Sequence, residues 1–274
     1  MMSFMDNKVA IVTGASSGIG LAVARKLVAR GTRVALVARS RDKLFAIARE
    51  LGAERAESFP LDVTDRAGVA ALPAAVVGRF GRLDIVVNNA GVNHRGPLRN
   101  CSADELAQVI DTNLLGPILL THAALAHLAP RGVVVNVASL AGKIPVPDEA
   151  VYAASKAGLR AFARSLDLEL SAHGERIRVC NICPGPVDTG FFGDDLSKVP
   201  DLVFSQPISS ADKVADAVLR AIDGHPGEID VPPLSGKLAT LGYLSPRVFL
   251  GLRPLLERRG ARNKERYRRE RRST

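Results

Sequence analysis

Tyr152 and Lys156 lie four residues apart, so on a helix their side chains share one face. An unperturbed tyrosine titrates near ~10, which is too high for a good base at neutral pH. A fixed ammonium group favours the phenolate, and each unit by which it lowers the pKa corresponds to about 1.4 kcal/mol. The pair is therefore predicted to move a proton, with Tyr152 as the acid or base and Lys156 as its electrostatic partner.

Ser139 precedes Tyr152 by thirteen residues and follows Gly132–Ala138, an apolar run that is typical of a buried strand. Open α/β sheets place their functional sites at the carboxyl ends of strands. A hydroxyl at that edge is predicted to donate a hydrogen bond to a carbonyl oxygen and to stabilise negative charge there. Taken alone, the Tyr152–Lys156 spacing also fits a solvated helix surface, but a serine in this position favours the chemical interpretation.

A segment with three glycines, Thr13 to Gly20, lies between an apolar run and a helical pattern. Glycine is needed in such a place because the turn is tight, the backbone must approach a pyrophosphate and the helix must pack near the strand. The new helix N-terminus then offers unpaired N–H groups and partial positive charge to the phosphates. The residues predicted to bind a dinucleotide here are Gly14, Ser16, Ser17, Gly18, Ile19 and Gly20.

Short runs rich in Val and Ile alternate with helical patterns along the chain, which predicts an α/β fold. We expect a Rossmann-type, doubly wound parallel sheet of about seven strands with helices on both faces. Ser102-x-x-Glu105 resembles a capping box and predicts a long helix that runs towards Leu128. The predicted strands are Lys8–Thr13, Arg33–Ala38, Ala56–Leu61, Leu83–Val87, Gly132–Ala138, Ile177–Cys183 and Glu228–Val231, and further helices are predicted over Gly18–Ala29 and Arg41–Leu51.

The glycine loop is similar to that of the short-chain dehydrogenase/reductase family, which reads T-G-x-x-x-G-x-G. Further motifs of that family follow in the same order: Asn88-Asn89-Ala90-Gly91, then Asn113, Ser139, Tyr152-x-x-x-Lys156 and Pro184-Gly185-Pro186-Val187-Asp188-Thr189. The resemblance covers roughly Lys8 to Val231. It implies a nicotinamide-dependent oxidoreductase that interconverts an alcohol and a ketone or aldehyde.

The resemblance also implies roles for individual residues. Asn113, Ser139, Tyr152 and Lys156 would be the catalytic residues. Asn113 would hold a water in a proton relay to Lys156, and Lys156 would also hold the nicotinamide ribose. Asp62 and Val63 would contact the adenine. The remaining cofactor-binding residues would be Asn89, Ala90, Gly91, Tyr152, Lys156, Pro184, Gly185, Val187 and Thr189.

Arg39 points to the choice of nicotinamide cofactor. Relatives that prefer NAD carry an acid at the end of the second strand, where this chain has Ala38 followed by Arg39. A carboxylate repels a 2′-phosphate, whereas a guanidinium pairs with it bidentately. We therefore expect NADP rather than NAD, although an arginine at a solvated helix start would look the same in the sequence.

Two segments depart from the regular alternation. Residues 185–210 are rich in proline, glycine and phenylalanine and predict a substrate loop for an apolar substrate. The C-terminal ending resembles that of family members that act on lipids, sterols or retinoids, which implies a substrate of that kind. We place this loop in a single catalytic domain over residues 1–232. Residues 233–274 predict an amphipathic helical extension with a basic tail, in which Arg253–Thr274 has ten basic and three acidic residues and so holds +7 of the +9 formal charge. Two interpretations stay open: peripheral membrane contact through this tail, or a substrate-covering helix pair with a solvated tail.

Composition narrows the remaining function classes. Aromatic residues make up 4% of the chain and no tryptophan is present, which argues against a nucleic-acid partner despite the basic tail. Three cysteines suggest a reducing, cytoplasmic compartment, and Cys180-x-x-Cys183 lies in a predicted strand without the partners of a metal site. The alternatives carried forward are a 3-oxoacyl thioester reductase and a non-catalytic NADP-binding regulator. A homodimer or homotetramer is expected.

Overall fold

The computed structural model describes Met5 and residues 7–190, 196–225 and 227–272. A seven-stranded sheet forms the centre of the fold, and every pair of neighbouring strands in it is parallel. Its strands are β1 (Val9–Thr13), β2 (Arg33–Ala38), β3 (Ala56–Pro60), β4 (Leu83–Asn88), β5 (Leu128–Val137), β6 (Arg178–Pro184) and β9 (Glu228–Val231), in the order β3-β2-β1-β4-β5-β6-β9. The predicted doubly wound parallel sheet is confirmed.

Nine α-helices surround this sheet in the described part of the chain. They are α1 (Gly18–Ala29), α2 (Arg41–Leu51), α3 (Arg66–Phe80), α4 (Ala103–Ile110), α5 (Gly116–Leu125), α6 (Ala150–Ala172), α7 (Ala211–Ile222), α8 (Pro233–Leu244) and α9 (Pro246–Arg272). Among the described residues, none of these helices combines the length and the apolar character that a membrane crossing requires.

Two hydrophobic cores cover the two faces of the sheet. In β1, Ala10 and Val12 belong to a core shared with α1, α2 and α7, whereas Val9 and Ile11 belong to a core shared with α3, α5 and α6. Both faces of the strand are therefore buried, which explains why its sequence is continuously apolar. Cys180 and Cys183 lie in β6 as buried free thiols.

The structure differs from the long helix predicted to start at Ser102, both in the interior of that helix and at its end. The capping box is present, with the Ser102 and Glu105 side chains each bound to the other's backbone, but α4 gives way to a π-helical turn over Asp111–Leu115 before α5 begins. Helix α5 then ends at Leu125, and β5 starts at Leu128 instead of Gly132. A purely apolar pattern does not reveal a π turn, because the side-chain spacing changes by only one residue.

The substrate loop and the C-terminal extension pack together. Of the loop, residues 191–195 lie outside the described residues; the rest includes two short paired strands, β7 (Val187–Asp188) and β8 (Ser209–Ser210), and a 3₁₀ segment over Asp201–Ser205. Helix α9 lies against this segment, with Tyr267 buried beside Phe204. The basic tail is thus a helix with a packed face, and the interpretation of it as merely solvated is wrong for that face.

Glu228 on β9 joins three segments near the carboxyl edge of the sheet. Its carboxylate accepts hydrogen bonds from Arg160 of α6 at 2.7 and 3.1 Å. It also forms an ion pair with Lys143 Nζ at 2.6 Å. Arg160 also donates to the Gly142 carbonyl at 2.7 Å. Burial alone would raise the pKa of Glu228, but the hydrogen bonds from Arg160 and Lys143 hold it at about 2.

We predict that Glu228→Gln lowers the free energy of unfolding at pH 7 by about 2–3 kcal/mol, because the partly buried Arg160 loses its carboxylate partner and the buried Lys143 keeps Asp230 but loses Glu228. Glu50→Gln is the matched control, since Glu50 also binds an arginine, Arg25, but both side chains are half exposed. The control should change stability by no more than about 0.5 kcal/mol. Urea denaturation measures both, and equal losses for the two variants would contradict this account of Glu228.

Candidate active site

The carboxyl ends of the central strands open into one continuous cavity of about 1100 Å³. Residues that follow β1, β2, β3, β4, β5 and β6 all contribute to its wall, as expected at this edge of a doubly wound sheet. The predicted site residues in the wall are Gly14, Ser16, Ser17, Gly18, Ile19, Arg39, Asp62, Val63, Asn89, Ala90, Gly91, Ser139, Tyr152, Lys156, Pro184, Gly185, Val187 and Thr189. Gly20 and Asn113 do not line the cavity, but both contact residues that do.

Tyr152 lies on the first turn of α6 with its ring buried against the cavity. Burial raises its pKa to about 12, and a hydrogen bond with the Ser139 side chain opposes the shift only in part. Burial therefore outweighs the lowering of the tyrosine pKa that the sequence predicts from Lys156, and the effect of Lys156 on the phenol stays a prediction. Tyr152 keeps its proton at neutral pH, which is the state that a proton donor to a carbonyl oxygen requires.

Ser139 follows β5 and is held by the local backbone. Its Oγ accepts a hydrogen bond from the Ala141 amide at 3.1 Å, which fixes the rotamer at the start of a short 3₁₀ turn. The same hydroxyl lies 3.5 Å from the Pro184 carbonyl of β6 and hydrogen-bonds Tyr152. The two hydroxyls of Ser139 and Tyr152 therefore meet at one point of the cavity wall, where both can reach a single substrate oxygen.

Lys156 lies one helical turn after Tyr152 and is buried. Its Nζ donates a hydrogen bond to the Val137 carbonyl at 2.9 Å and lies 5.8 Å from the centre of the Tyr152 ring. Burial lowers the pKa of Lys156 to about 8. Lys156 is thus an ammonium at neutral pH, and it lies beside the Tyr152 phenol. Its lowered pKa results from burial.

Asn113 lies in the π turn and ties two parts of the site together. Its side chain accepts a hydrogen bond from the Val92 amide and donates one to the Val92 carbonyl, both at 2.8 Å. It also donates to Ser155 Oγ on α6 at 3.1 Å. The side chain therefore fixes the loop after β4 against the helix that carries Tyr152 and Lys156. Its predicted role in a water relay stays a prediction.

The glycine loop is packed too closely against itself and its neighbours to hold side chains at its glycines. Gly14 and Gly18 have φ of +66° and +53°, which L side chains rarely adopt, and a Cβ on Gly20 would lie 2.2 Å from the Gly14 carbonyl oxygen. The Asn89 side-chain Nδ2 donates to the Thr13 carbonyl at 2.9 Å and so connects this loop to the one after β4. The tight turn and these contacts within the protein therefore require the glycines, and the close approach of the loop to a pyrophosphate stays a prediction.

The N-terminus of α1 is suited to a phosphate. The N-cap residue Ser17 makes no side-chain hydrogen bond to the helix, and the first turn contains no acid. Helices α3 and α7, which begin away from the loop, are capped by Asp65 and Ser210. The first backbone N–H groups of α1 can therefore donate hydrogen bonds to a ligand at the cavity wall, and the residues present fit the pyrophosphate of a dinucleotide.

A group of polar and basic side chains surrounds the opposite end of the same cavity. Arg39 is 64% exposed, and its guanidinium approaches Asp62 at 3.9 Å, a loose contact that leaves it accessible. Ser40 and Lys43 line the wall beside Arg39. Sequence reasoning missed Lys43, which lies in the first turn of α2 shortly after Arg39.

A buried ion pair, also missed from the sequence, lies beside Tyr152. Arg95 Nε donates to Glu149 Oε1 at 2.8 Å, and their side chains are 13% and 5% exposed. Both residues line the cavity, and their charges act on the Tyr152 pKa in opposite directions, Glu149 raising it and Arg95 lowering it. Because the charges are paired, their net effect on the phenol is small compared with that of burial.

Comparison with known proteins agrees with this geometry. The short chain dehydrogenase family model matches residues 8–199. An uncharacterized oxidoreductase of Staphylococcus epidermidis is 36% identical over 84% of this chain and 96% of its own length. The ketoacyl reductase HetN of a Nostoc species is 35% identical over 89% of this chain and 88% of its own length. The chain therefore belongs to the short-chain dehydrogenase family of oxidoreductases.

Solved structures show the same fold with nucleotides bound. A short chain dehydrogenase from Burkholderia cenocepacia in complex with NADP has a TM-score of 0.75, 30% identity, and covers 82% of this chain and 96% of its own. A family member from Burkholderia phymatum in complex with NAD has a TM-score of 0.79, 26% identity, and covers 89% of this chain and 95% of its own. The family thus binds either nicotinamide dinucleotide.

We predict that Tyr152→Phe lowers the rate of carbonyl reduction by about 10²- to 10⁴-fold, because it removes a positioned proton donor. The affinity for the nicotinamide cofactor should change little, since the variant loses only one hydroxyl. Tyr243→Phe is the matched control, because Tyr243 is 62% exposed on α8. Steady-state rates and calorimetric cofactor titration measure the two effects, and turnover within a few-fold of the parent would overturn the assignment.

Proposed function

We propose that this oxidoreductase uses NADP(H) to interconvert an alcohol with a ketone or aldehyde, and that its substrate is apolar. The observation that carries the proposal is the meeting of Ser139, Tyr152 and Lys156 at one cavity that the glycine loop also lines. A cavity of about 1100 Å³ exceeds the roughly 300–1,000 Å³ of ordinary small-molecule sites, so a dinucleotide and a substrate can share it. A bound nicotinamide supplies or accepts the hydride.

The chain's own residues manage the oxygen and the proton. The Ser139 hydroxyl, held by the Ala141 amide, donates to the carbonyl oxygen and stabilises the charge that develops there. The Tyr152 phenol donates the proton to that oxygen during reduction and removes it during oxidation. The Lys156 ammonium stabilises the phenolate that reduction leaves behind. Asn113 donates a hydrogen bond to Ser155, the residue before Lys156, and so helps to position this part of α6.

The preference for NADP rests on the charges at the far end of the cavity. Arg39 and Lys43 both line the wall there, and the end of β2 carries Ala38 in place of an acid. Two cations attract a 2′-phosphate, and a guanidinium can pair with it bidentately. Asp62 contacts Arg39 only loosely, so the ion pair does not block this role.

The preference for an apolar substrate rests on the remaining part of the wall. Beyond the catalytic residues, the cavity is lined by aliphatic side chains from the turn after Ser139, from the substrate loop and from the last two helices. They are Leu140, Ile144, Val146, Leu202, Val203, Leu234, Leu238, Leu241, Leu252 and Leu256. Burying such a wall against an alkyl chain or ring is favourable at roughly 25 cal/mol per Å².

A 3-oxoacyl thioester reductase is the second candidate, because one relative with broad coverage is a ketoacyl reductase. A regulator without turnover has no evident use for the four residues Asn113, Ser139, Tyr152 and Lys156 together. A screen of NADPH consumption with medium-chain ketones, 3-oxoacyl thioesters, sterols and retinals distinguishes these functions. Turnover only with the thioesters would favour the second candidate, and no turnover with any carbonyl would contradict both enzymatic proposals.

We predict that Arg39→Ala weakens NADPH binding about 10- to 100-fold, because a charge-assisted hydrogen bond contributes roughly 1.5–3 kcal/mol. NADH binding should barely move, since NADH has no 2′-phosphate. Arg41→Ala is the matched control, because the Arg41 guanidinium packs over the Phe45 ring, 5.4 Å from its centre. Calorimetric titration with both cofactors measures the selectivity, and equal losses for NADPH and NADH would refute it.

A further inference from the structure

The outer face of α8 is apolar and exposed. Leu234, Leu238 and Leu241 recur at intervals of four and three residues, which places them on one side of the helix, and they are 69%, 59% and 61% exposed. Leu252 and Leu255 at the start of α9 are 49% and 64% exposed. We call these five side chains the leucine rim. A contiguous apolar surface of this kind on a folded chain marks a contact site.

The leucine rim surrounds the opening of the catalytic cavity. Leu234, Leu238, Leu241 and Leu252 line that cavity while remaining exposed on the outside. Aliphatic side chains therefore line the cavity both at the exposed α8 and α9 and at the turn after Ser139. Whatever covers the rim also covers the route by which a substrate reaches Tyr152.

Basic side chains lie at the same opening. Arg259 of α9 lines the cavity together with the rim and is exposed, and Arg258 and Arg262 are exposed on the same helix. Between Arg253 and Thr274 the sequence has ten basic and three acidic residues. The surface thus combines aliphatic side chains with positive charge, the combination that binds the interface of an anionic bilayer.

Two features of α9 distinguish a bilayer from a second copy of the chain as the occupant. A symmetric contact through the rim would bring two strongly basic helices together, and like charges disfavour that arrangement. The other face of α9 is already occupied. Lys264 binds the Val199 carbonyl at 2.6 Å and Asp201 at 2.9 Å, Asn263 donates to the Phe204 carbonyl at 2.9 Å, and Tyr267 hydrogen-bonds Asp188. These contacts hold the inner face of α9 against the substrate loop, so its outer face is the one exposed to a partner.

We propose that the leucine rim and the adjoining arginines of α9 dock the protein on an anionic phospholipid surface, so that an apolar substrate enters the cavity directly from the lipid. The contact is peripheral: the rim leucines reach the acyl boundary while the arginines meet the headgroups. Docking by this route needs no hydride transfer, so it can be tested without a substrate.

The test is co-sedimentation of the full chain with vesicles of phosphatidylcholine and phosphatidylglycerol. We expect binding at low salt that high salt reduces without abolishing, and weaker binding to vesicles of phosphatidylcholine alone. Leu238→Ser/Leu241→Ser should lower the partition coefficient at least about tenfold, because each leucine loses burial in lipid. Leu98→Ser/Leu168→Ser is the matched control, since both leucines are 55% exposed but lie outside α8 and α9.

Calorimetric NADPH binding shows that each variant is folded, because the leucine rim lies outside the predicted cofactor contacts. Size-exclusion chromatography with light scattering follows the oligomeric state of the same samples. Full-length protein that stays in the supernatant at low salt overturns the proposal. So does equal vesicle binding by the two double variants. Dissociation of an oligomer by the rim variant, without vesicle binding by the parent, assigns the rim to a second copy instead. None of these outcomes bears on the proposed reaction.

Discussion

The buried ammonium of Lys156 constrains most of the structure around it. Removing this charge from water is costly, and burial accordingly lowers its pKa to about 8. The Val137 carbonyl offsets part of that cost through a hydrogen bond of 2.9 Å. Gly91 has no side chain at a point where a Cβ would lie 3.6 Å from Lys156 Nζ and 3.3 Å from Asn113 Oδ1. Strand β5, the loop after β4 and helix α6 therefore meet around this lysine.

The same constraint links the catalytic end of the cavity to the edge of the sheet. Glu228 on β9 binds Arg160, one turn beyond Lys156 on α6, and Lys143, four residues after Ser139. Asn113 fixes the other side of α6 through Ser155. The helix that carries the tyrosine and the lysine is thus held from two sides, by the buried contact of Asn113 with Ser155 and by the partly buried contact of Glu228 with Arg160. Such contacts fix geometry better than aliphatic packing, which tolerates small shifts.

Much of this arrangement was predictable, because the residues concerned leave a local signature. Glycines with positive φ, continuous apolar strands and a four-residue spacing on a helix are all visible in the sequence. The π turn at Asp111–Leu115 was not, since it changes hydrogen bonding without changing residue types. The Arg95–Glu149 pair joins positions 54 residues apart, and such long-range pairs have no local pattern. The raised pKa of Tyr152 depends on burial by the whole wall, which no pair of residues encodes. The packing of α9, where Tyr267 contacts Phe204, also depends on residues distant in the sequence, so composition alone predicted only a basic tail.

The most direct test of the account is the pH dependence of kcat/KM for reduction of a good carbonyl substrate. A required Lys156 ammonium with a pKa of about 8 predicts a rate that is level near neutral pH and falls as pH rises through about 8. Lys156→Arg distinguishes the titration of Lys156 from that of other groups, because a guanidinium keeps its proton far above pH 8. If this variant retains turnover, the fall in its rate near pH 8 should disappear. A parent rate that stays constant or rises between pH 7 and about 10 would contradict the claim that a buried, charged Lys156 supports proton donation by Tyr152.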